Sequence, residues 1–236
     1  MLIPPRNNQK NDREGSFSLG ETLGVAFITL MTFYRVFYAI YSIFIGFGVN
    51  QLFVDISMAL ASIASIALLI RFVKVRKNLP YKDYLGFKKV TKNQFRNWML
   101  YLAIYIVAQY TLDFFVRPTF PQDILTAYKN HLFIPLTYLT LIFPVAYEEV
   151  LFRAFMIEGF RNSLLGSTMG IVITSLLFAF THFQYDLYYK FLVFCLGVFF
   201  GIARIKTNSS YLSITLHFVY NVYAITFILI YVHFYN

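Results

Sequence analysis

Charged residues are scarce in this sequence, at 13% of its 236 residues, whereas hydrophobic residues reach 58%. An average soluble protein carries about 25% charged residues. So few charges cannot cover the surface of a water-soluble globule of this size, which excludes a soluble enzyme. The composition instead predicts an all-α, polytopic membrane protein, because helices satisfy their backbone hydrogen bonds internally and can therefore cross a bilayer.

Cysteine is nearly absent, since Cys195 is the single one in the chain. It excludes an internal disulfide, and its apolar neighbours indicate a small buried hydrophobic residue. The first 21 residues are polar and mixed in charge. They lack the basic start, short apolar centre and small-residue cleavage site of a secretory signal, so we expect no cleaved signal peptide.

Apolar runs of about 20 residues, the length that crosses a bilayer as a helix, recur along the chain. The expected organisation is a cytosolic tail at 1–22, two transmembrane helices with a basic loop at 23–97, and a core of transmembrane helices at 98–236. Seven spans are expected, at 23–47, 51–70, 98–116, 132–158, 168–185, 188–205 and 211–234.

Lysine and arginine are distributed unequally between the loops. Sixteen of them lie in the N-terminal tail, in the 71–97 loop and at the ends of the fourth and sixth spans, against three on the opposite side. Cytosolic loops are the basic ones, so we predict a cytosolic N-terminus and an external C-terminus. The same bias accounts for the net charge of +9 without a nucleic-acid partner.

Ionisable residues inside a membrane span are costly and therefore informative. Arg35 lies near the middle of the first span, and Asp55 and Asp113 lie in two other spans. An ion pair that joins helices is the favoured interpretation.

The fourth span ends with two adjacent carboxylates, Glu148 and Glu149, followed by Arg153. Successive helix positions differ by about 100°, so the two glutamates are expected to point in different directions. Glu149 and Arg153 are four residues apart and favour an ion pair. Glu148 has no such partner and is a candidate proton acceptor. The alternative is that both glutamates are ordinary solvated charges at the cytosolic interface.

Two further polar clusters follow in the later spans. Phe178 and His182 are four residues apart, with the histidine expected deep in an apolar helix. His217 and Asn221 are also four apart and so share one helix face. Donors on one face can stabilise an oxyanion or contribute to a metal site. Hydrogen bonding between helices is the alternative for each cluster alone.

In this order on membrane helices, E-E-x-x-x-R, F-x-x-x-H and H-x-x-x-N resemble the motifs of the CPBP family (CAAX protease and bacteriocin-processing proteins, also called Abi). The resemblance covers about residues 132–221 and leaves the first 130 without an assigned motif. The matching residues are Glu148, Glu149, Arg153, Phe178, His182, His217 and Asn221.

The resemblance implies a glutamate-dependent intramembrane endopeptidase. In the family, the first-motif glutamate and second-motif histidine activate a water molecule, which corresponds here to Glu148 and His182. The third-motif histidine and asparagine stabilise the oxyanion, which corresponds to His217 and Asn221. The second glutamate and the arginine of the first motif would fix the helix and the local field.

Cofactor use stays open at this point. Glu148, His182 and His217 could hold zinc as a His₂Glu set with an open position. Water alone is preferred, because these residues lie on three different spans. There is no H-E-x-x-H zinc motif and no G-x-S-x-G elbow. Asp55 and Asp113 also lack the Gly-x-Gly-Asp setting of presenilin-type aspartyl proteases.

The expected substrate is a membrane-associated peptide or protein tail, whether from CAAX-type processing, peptide maturation or bacteriocin self-immunity. The expected location is the plasma membrane of a bacterium, with the lipid bilayer as a partner and an undetermined oligomeric state. One alternative is a non-proteolytic scaffold that regulates a sensor kinase or similar partner. Another is a proton-coupled transporter, which paired repeats and broken helices would have indicated.

Overall fold

A computed structural model describes residues 16–45, 51–76, 80–117 and 134–235. Within these ranges the chain is helical and contains no strand. The helices are α1 (Leu19–Ile45), α2 (Gln51–Val75), α3 (Tyr81–Tyr84), α4 (Lys92–Val116), α5 (Ile134–Glu148), a π-helical segment (Glu149–Met156), α6 (Ile157–Arg161), α7 (Gly166–Thr181), α8 (Leu187–Thr207) and α9 (Ser210–Tyr235).

The all-α, polytopic architecture is confirmed. Among the described residues, five helices are long and apolar enough to cross a membrane, namely α1, α2, α4, α8 and α9. The expected span at 132–158 corresponds to the continuous run of α5, the π-helical segment and α6. The expected span at 168–185 corresponds to the shorter apolar helix α7. The protein is therefore a multi-pass membrane protein, and its sidedness stays a prediction.

The run from α5 to α6 is the central rod of the bundle, and every residue of its π-helical segment is buried. Helices α1, α2, α7, α8 and α9 all pack against that segment. Its wider turn is visible where the Ile157 N–H donates to the Phe152 carbonyl, five residues earlier. Pro144 lies one turn before the segment and lacks the N–H of the α-helical ladder. Such π-turns inside α-helices frequently occur at functional sites.

Aromatic rings attach α1 to this rod. Phe33 of α1 stacks on Tyr147 with ring centroids 4.9 Å apart and planes 5° from parallel. Phe37 continues the stack at 6.4 Å from Phe33. Nearer the start of α1, a Cβ on Gly159 would lie 2.2 Å from the Thr22 hydroxyl oxygen. The absence of a side chain at Gly159 is therefore what allows α1 and α6 to approach so closely.

The predicted cytosolic segments converge at one end of the bundle. Arg76, after α2, pairs with Glu21 at the start of α1. Glu158 of α6 lies 3.1 Å from Arg161 and 3.8 Å from Arg204 of α8. The loops that the charge bias assigns to one side of the membrane thus lie together in space.

The loop after α3 is hydrogen-bonded to the turn between α8 and α9 at this same end. The Ser210 N–H donates to the Gly86 carbonyl at 2.8 Å, and the Ser210 hydroxyl donates to the Leu85 carbonyl at 2.5 Å. Gly86 has φ +66°, and a Cβ there would lie 2.4 Å from Nη2 of Arg204. Only glycine meets both constraints, since it tolerates a positive φ and has no side chain.

The opposite end joins α4 to α8. Arg117 pairs with Asp186 at 2.5 Å, and the Tyr188 hydroxyl donates to Asp113 at 2.6 Å. Asp186 also caps α8 by accepting the Tyr189 N–H, which lowers the pKa of its carboxyl. Asp113 thus pairs with α8.

Arg35 was expected to form an ion pair with Asp55 or Asp113. Arg35 is exposed on α1, and within the described part of the chain it forms no ion pair with either aspartate. Asp55 accepts a hydrogen bond from the Thr137 hydroxyl at 2.9 Å. The expected ion pair is therefore wrong, because the two carboxylates face helices other than α1.

Candidate active site

Both glutamates of the first motif meet the same imidazole. His217 Nδ1 lies 2.9 Å from Glu149 Oε1. A carboxylate can only accept, so this nitrogen carries the proton and donates it to Glu149. The other nitrogen, Nε2, lies 3.8 Å from Glu148 Oε2, beyond hydrogen-bond distance. His217 therefore connects the two carboxylates, with a direct bond on one side and a short gap on the other.

The two glutamates were expected to point in different directions, and they lie at different nitrogens of the His217 ring. The side chains also differ in exposure, since Glu149 is fully buried while 26% of the Glu148 side chain is exposed. Glu148 is thus the carboxylate that water and a substrate can reach.

Arg153 is the buried cation of the site. Its side chain is fully buried, with Nη1 3.1 Å from Glu149 Oε1. The guanidinium also lies 4.1 Å from the centre of the Phe178 ring and 5.7 Å from that of Phe200. Such cation–π contacts are strongest where water is excluded. The expected Glu149–Arg153 ion pair is therefore present.

Arg153 was also counted with the basic residues of the predicted cytosolic end, a count that assumes solvated side chains. Its side chain is fully buried in the bundle. Gly197 of α8 leaves room for it, because a Cβ there would lie 3.0 Å from Arg153 Nη2. The count of basic residues cannot distinguish such a buried partner from a solvated one.

Two phenylalanines hold the His217 ring. Phe200 of α8 stacks on it at 4.9 Å and 26°, and Phe178 of α7 meets it edge-on at 5.7 Å. Phe178 belongs to the second motif, but the sequence reasoning missed Phe200. Nothing in the sequence distinguishes Phe200 from the other phenylalanines of α8, because its role depends on contacts with two other helices.

His182 is not deep in a helix, as was expected, but directly follows the end of α7. Its Nδ1–H donates to the Phe178 carbonyl at 2.9 Å, since a carbonyl only accepts. In the tautomer with its proton on Nδ1, Nε2 is the acceptor nitrogen. Phe178 contacts His182 at 4.8 Å as well as His217, so both imidazoles lie against one phenylalanine.

Asn221 lies one helical turn after His217 on α9 and is partly buried. It makes no hydrogen bond with any residue that the structure describes. Its amide is therefore free to donate to a ligand beside His217.

Three tyrosines surround Glu148 closely enough to interact with its charge, and the sequence reasoning missed all of them. They are Tyr34 of α1, Tyr147 of α5 and Tyr185 of the loop after α7. The Tyr147 hydroxyl is buried without a hydrogen-bond partner among the described residues. Its position directly before Glu148 was the one available signal in the sequence.

The proposed zinc ligands do not form a metal cage. Among the described residues, no group of three or more His, Cys, Asp and Glu side chains is placed to hold a metal ion. Glu148 Oε2 lies 3.8 Å from His217 Nε2, whereas His182 bonds to the Phe178 carbonyl. The residues present therefore fit a bound water better than a three-ligand metal.

A comparison with protein families places this site in a known context. Residues 130–223 match the family described as "Type II CAAX prenyl endopeptidase Rce1-like". The match covers less than half of the chain, and residues 130–223, which resemble the CPBP family, are called the CPBP region below.

The CPBP region extends from just before α5 to two residues beyond Asn221, so it contains every motif residue of the site. Its family is one of CAAX-type membrane proteases. Helices α1, α2, α3 and α4 lie outside the match. Comparisons with curated proteins and with solved structures gave no match.

Proposed function

We propose that the protein is an intramembrane endopeptidase that hydrolyses a peptide bond with a water molecule activated by Glu148. The observation that best supports this proposal is the position of His217, which lies 68 residues after Glu149 in the sequence. Its ring contacts Glu149 on one side and lies beside the partly exposed Glu148 carboxylate on the other. Peptide hydrolysis needs a base for water, donors for the oxyanion and a proton for the leaving amine. The CPBP residues supply all three.

In the proposed reaction, Glu148 removes a proton as the water oxygen attacks the carbonyl carbon of the substrate. His182 assists through its free Nε2. When the C–N bond of the tetrahedral intermediate breaks, the proton held by Glu148 passes to the leaving amine. The products are a carboxylic acid and an amine, which exchange a proton to become a carboxylate and an ammonium, and the carboxylate of Glu148 is restored.

The oxyanion is stabilised by Asn221 and His217. The Nδ1–H of His217 is already donated to Glu149, so Nε2 can donate only when the ring carries two protons. The negative charge of Glu149, 2.9 Å from Nδ1, would balance such an imidazolium. Glu149 thus acts on the oxyanion through His217, as well as by pairing with Arg153.

The proposed substrate is a membrane-associated peptide or protein tail that can unwind at the cleavage site, because an intact helix hides its carbonyls. CAAX-type processing is one such reaction, and maturation of a secreted peptide or bacteriocin self-immunity is another. The proposed location is the plasma membrane of a bacterium.

The test is cleavage of quenched fluorescent peptides by the full chain in liposomes. One peptide ends in a farnesylated C-a-a-X sequence and the other is identical but unmodified. We expect Glu148→Gln to lower turnover by about 10²–10⁴-fold, the usual contribution of a general base. Glu21→Gln removes an exposed carboxylate at the far end of α1 and serves as the matched control.

Full turnover in Glu148→Gln would refute the mechanism. A cellular phenotype that survives Glu148→Gln, with no proteolysis by the wild type, would favour the alternative of a scaffold for a sensor kinase or similar partner. Comparing the membrane and secreted peptides of wild-type and deletion cells would identify the native substrate.

A further inference from the structure

The turn after α7 contains an aromatic residue that no motif of the site includes. Tyr185 follows His182 by three residues, and its N–H donates to the His182 carbonyl at 3.1 Å. This turn brings the Tyr185 ring back over the imidazole, with centroids 5.7 Å apart and planes 17° from parallel. The distance lies within the range of offset-stacked aromatic pairs.

The stack matters because His182 has left the helix. Its backbone, at φ −88° and ψ 67°, is not helical, so the side chain lies beyond the last turn of α7. The Phe178 carbonyl fixes Nδ1, and the Phe178 ring contacts one part of the imidazole edge-on. Tyr185 supplies the remaining constraint by covering a face of the ring.

The Tyr185 ring is partly buried, and its charge environment includes Glu148. The ring of Tyr189 in turn packs on Tyr185 at 5.9 Å, so the covering residue is itself supported by α8. The aromatic layer therefore continues from the start of α8 to His182.

We propose that Tyr185 is a positioning residue, which holds the His182 imidazole with Nε2 directed at the water beside Glu148. This proposal rests on the proposed peptidase function, although its structural part can be tested without a substrate. The stacked ring is required, whereas the hydroxyl is not. Tyr185→Phe should therefore preserve the effect and Tyr185→Leu should remove it.

The kinetic test uses the farnesylated C-a-a-X peptide and compares these two variants in liposomes. We expect Tyr185→Leu to lower kcat by about 10- to 100-fold with little change in KM, because misplacing a catalytic group slows the reaction without weakening substrate binding. The kcat of Tyr185→Phe should stay within about threefold of the wild-type value. Tyr101→Leu, an exposed ring paired with Trp98 on α4, is the matched control.

The structural test is the rate at which diethylpyrocarbonate modifies His182, measured by peptide mass spectrometry relative to exposed His233. We expect the modification rate to rise about 2- to 10-fold in Tyr185→Leu, which corresponds to the free energy of one aromatic pair. The rate should stay unchanged in Tyr185→Phe.

The inference would be overturned if Tyr185→Leu kept the wild-type kcat, or if both Tyr185 variants lost kcat equally. The proposed peptidase function would still stand if Glu148→Gln were inactive. If the wild type cleaves neither peptide, the proposed function fails. The modification rate then still decides the inference, because an unchanged rate in Tyr185→Leu would refute the positioning role.

Discussion

Replacing Arg153 by methionine removes the guanidinium that pairs with the buried Glu149 carboxylate while keeping a side chain of similar length. Both side chains of this pair are fully buried, so water cannot compensate for the loss. Removing one partner of a buried ion pair typically costs about 3–5 kcal/mol. His217 still donates to Glu149, so we expect a value near the lower end, about 3 kcal/mol.

The measurement is thermal unfolding of the purified protein in detergent. For a chain of this size, a loss of 1 kcal/mol lowers Tm by about 2–4 °C, so Arg153→Met should lower Tm by about 6–12 °C. Arg76→Met is the matched control, because it breaks an ion pair with Glu21 in which both side chains are substantially exposed. Exposed pairs contribute about 0–1 kcal/mol.

A double-mutant cycle separates the ion pair from the packing of Arg153 against its phenylalanines. Glu149→Gln removes the buried negative charge, so the combined Glu149→Gln and Arg153→Met variant should be less destabilised than the sum of the two single variants. Additive losses, or an Arg153→Met variant as stable as Arg76→Met, would refute the reasoning that the buried charges depend on one another.

Three other outcomes follow from the geometry. Gly86→Ala should destabilise the protein by about 1–3 kcal/mol in thermal unfolding, since it adds a clash with Arg204 to the strain of a positive φ. Gly166→Ala has the same strain at φ +68° but lies in open space, so it should destabilise the protein less. Equal losses of stability in the two variants would contradict the clash. Asn221→Ala should lower kcat by about 10²–10³-fold with unchanged Tm, as for one oxyanion donor, and a change confined to KM would count against that role. The Asp186 carboxyl has a lowered pKa in the folded protein, so the stability it contributes is present above its unfolded pKa of about 4 and is lost as pH falls below that value. The Tm difference between wild type and Asp186→Asn should accordingly be visible at neutral pH and vanish in acid. A Tm difference independent of pH would exclude the carboxylate as its source.

Metal dependence gives a final expectation. Because no three-ligand cage is present among the described residues, peptide cleavage should survive treatment with 1,10-phenanthroline. Loss of activity that added zinc restores would contradict a reaction in which Glu148 and His182 activate the water without a metal.

The sequence by itself determined the features that depend on composition and on neighbours along the chain. Low charge and apolar runs of bilayer length were enough to predict a helical membrane protein, because lipid leaves few other structures available. Spacings of four residues correctly predicted the Glu149–Arg153 pair, and the asymmetry of lysine and arginine grouped loops that do lie at one end of the bundle.

Only the tertiary structure decided which distant groups meet. The bond from His217 to Glu149 joins positions 68 residues apart, and Phe200 and Tyr185 reach the imidazoles through packing and a turn that no helical period predicts. The change from α-helix to π-helix at Glu149, beside His217, is likewise visible only in the structure. Local sequence sets the period of a helix, whereas the neighbours of each side chain are set by how the helices pack, and in this protein the chemistry depends on those neighbours.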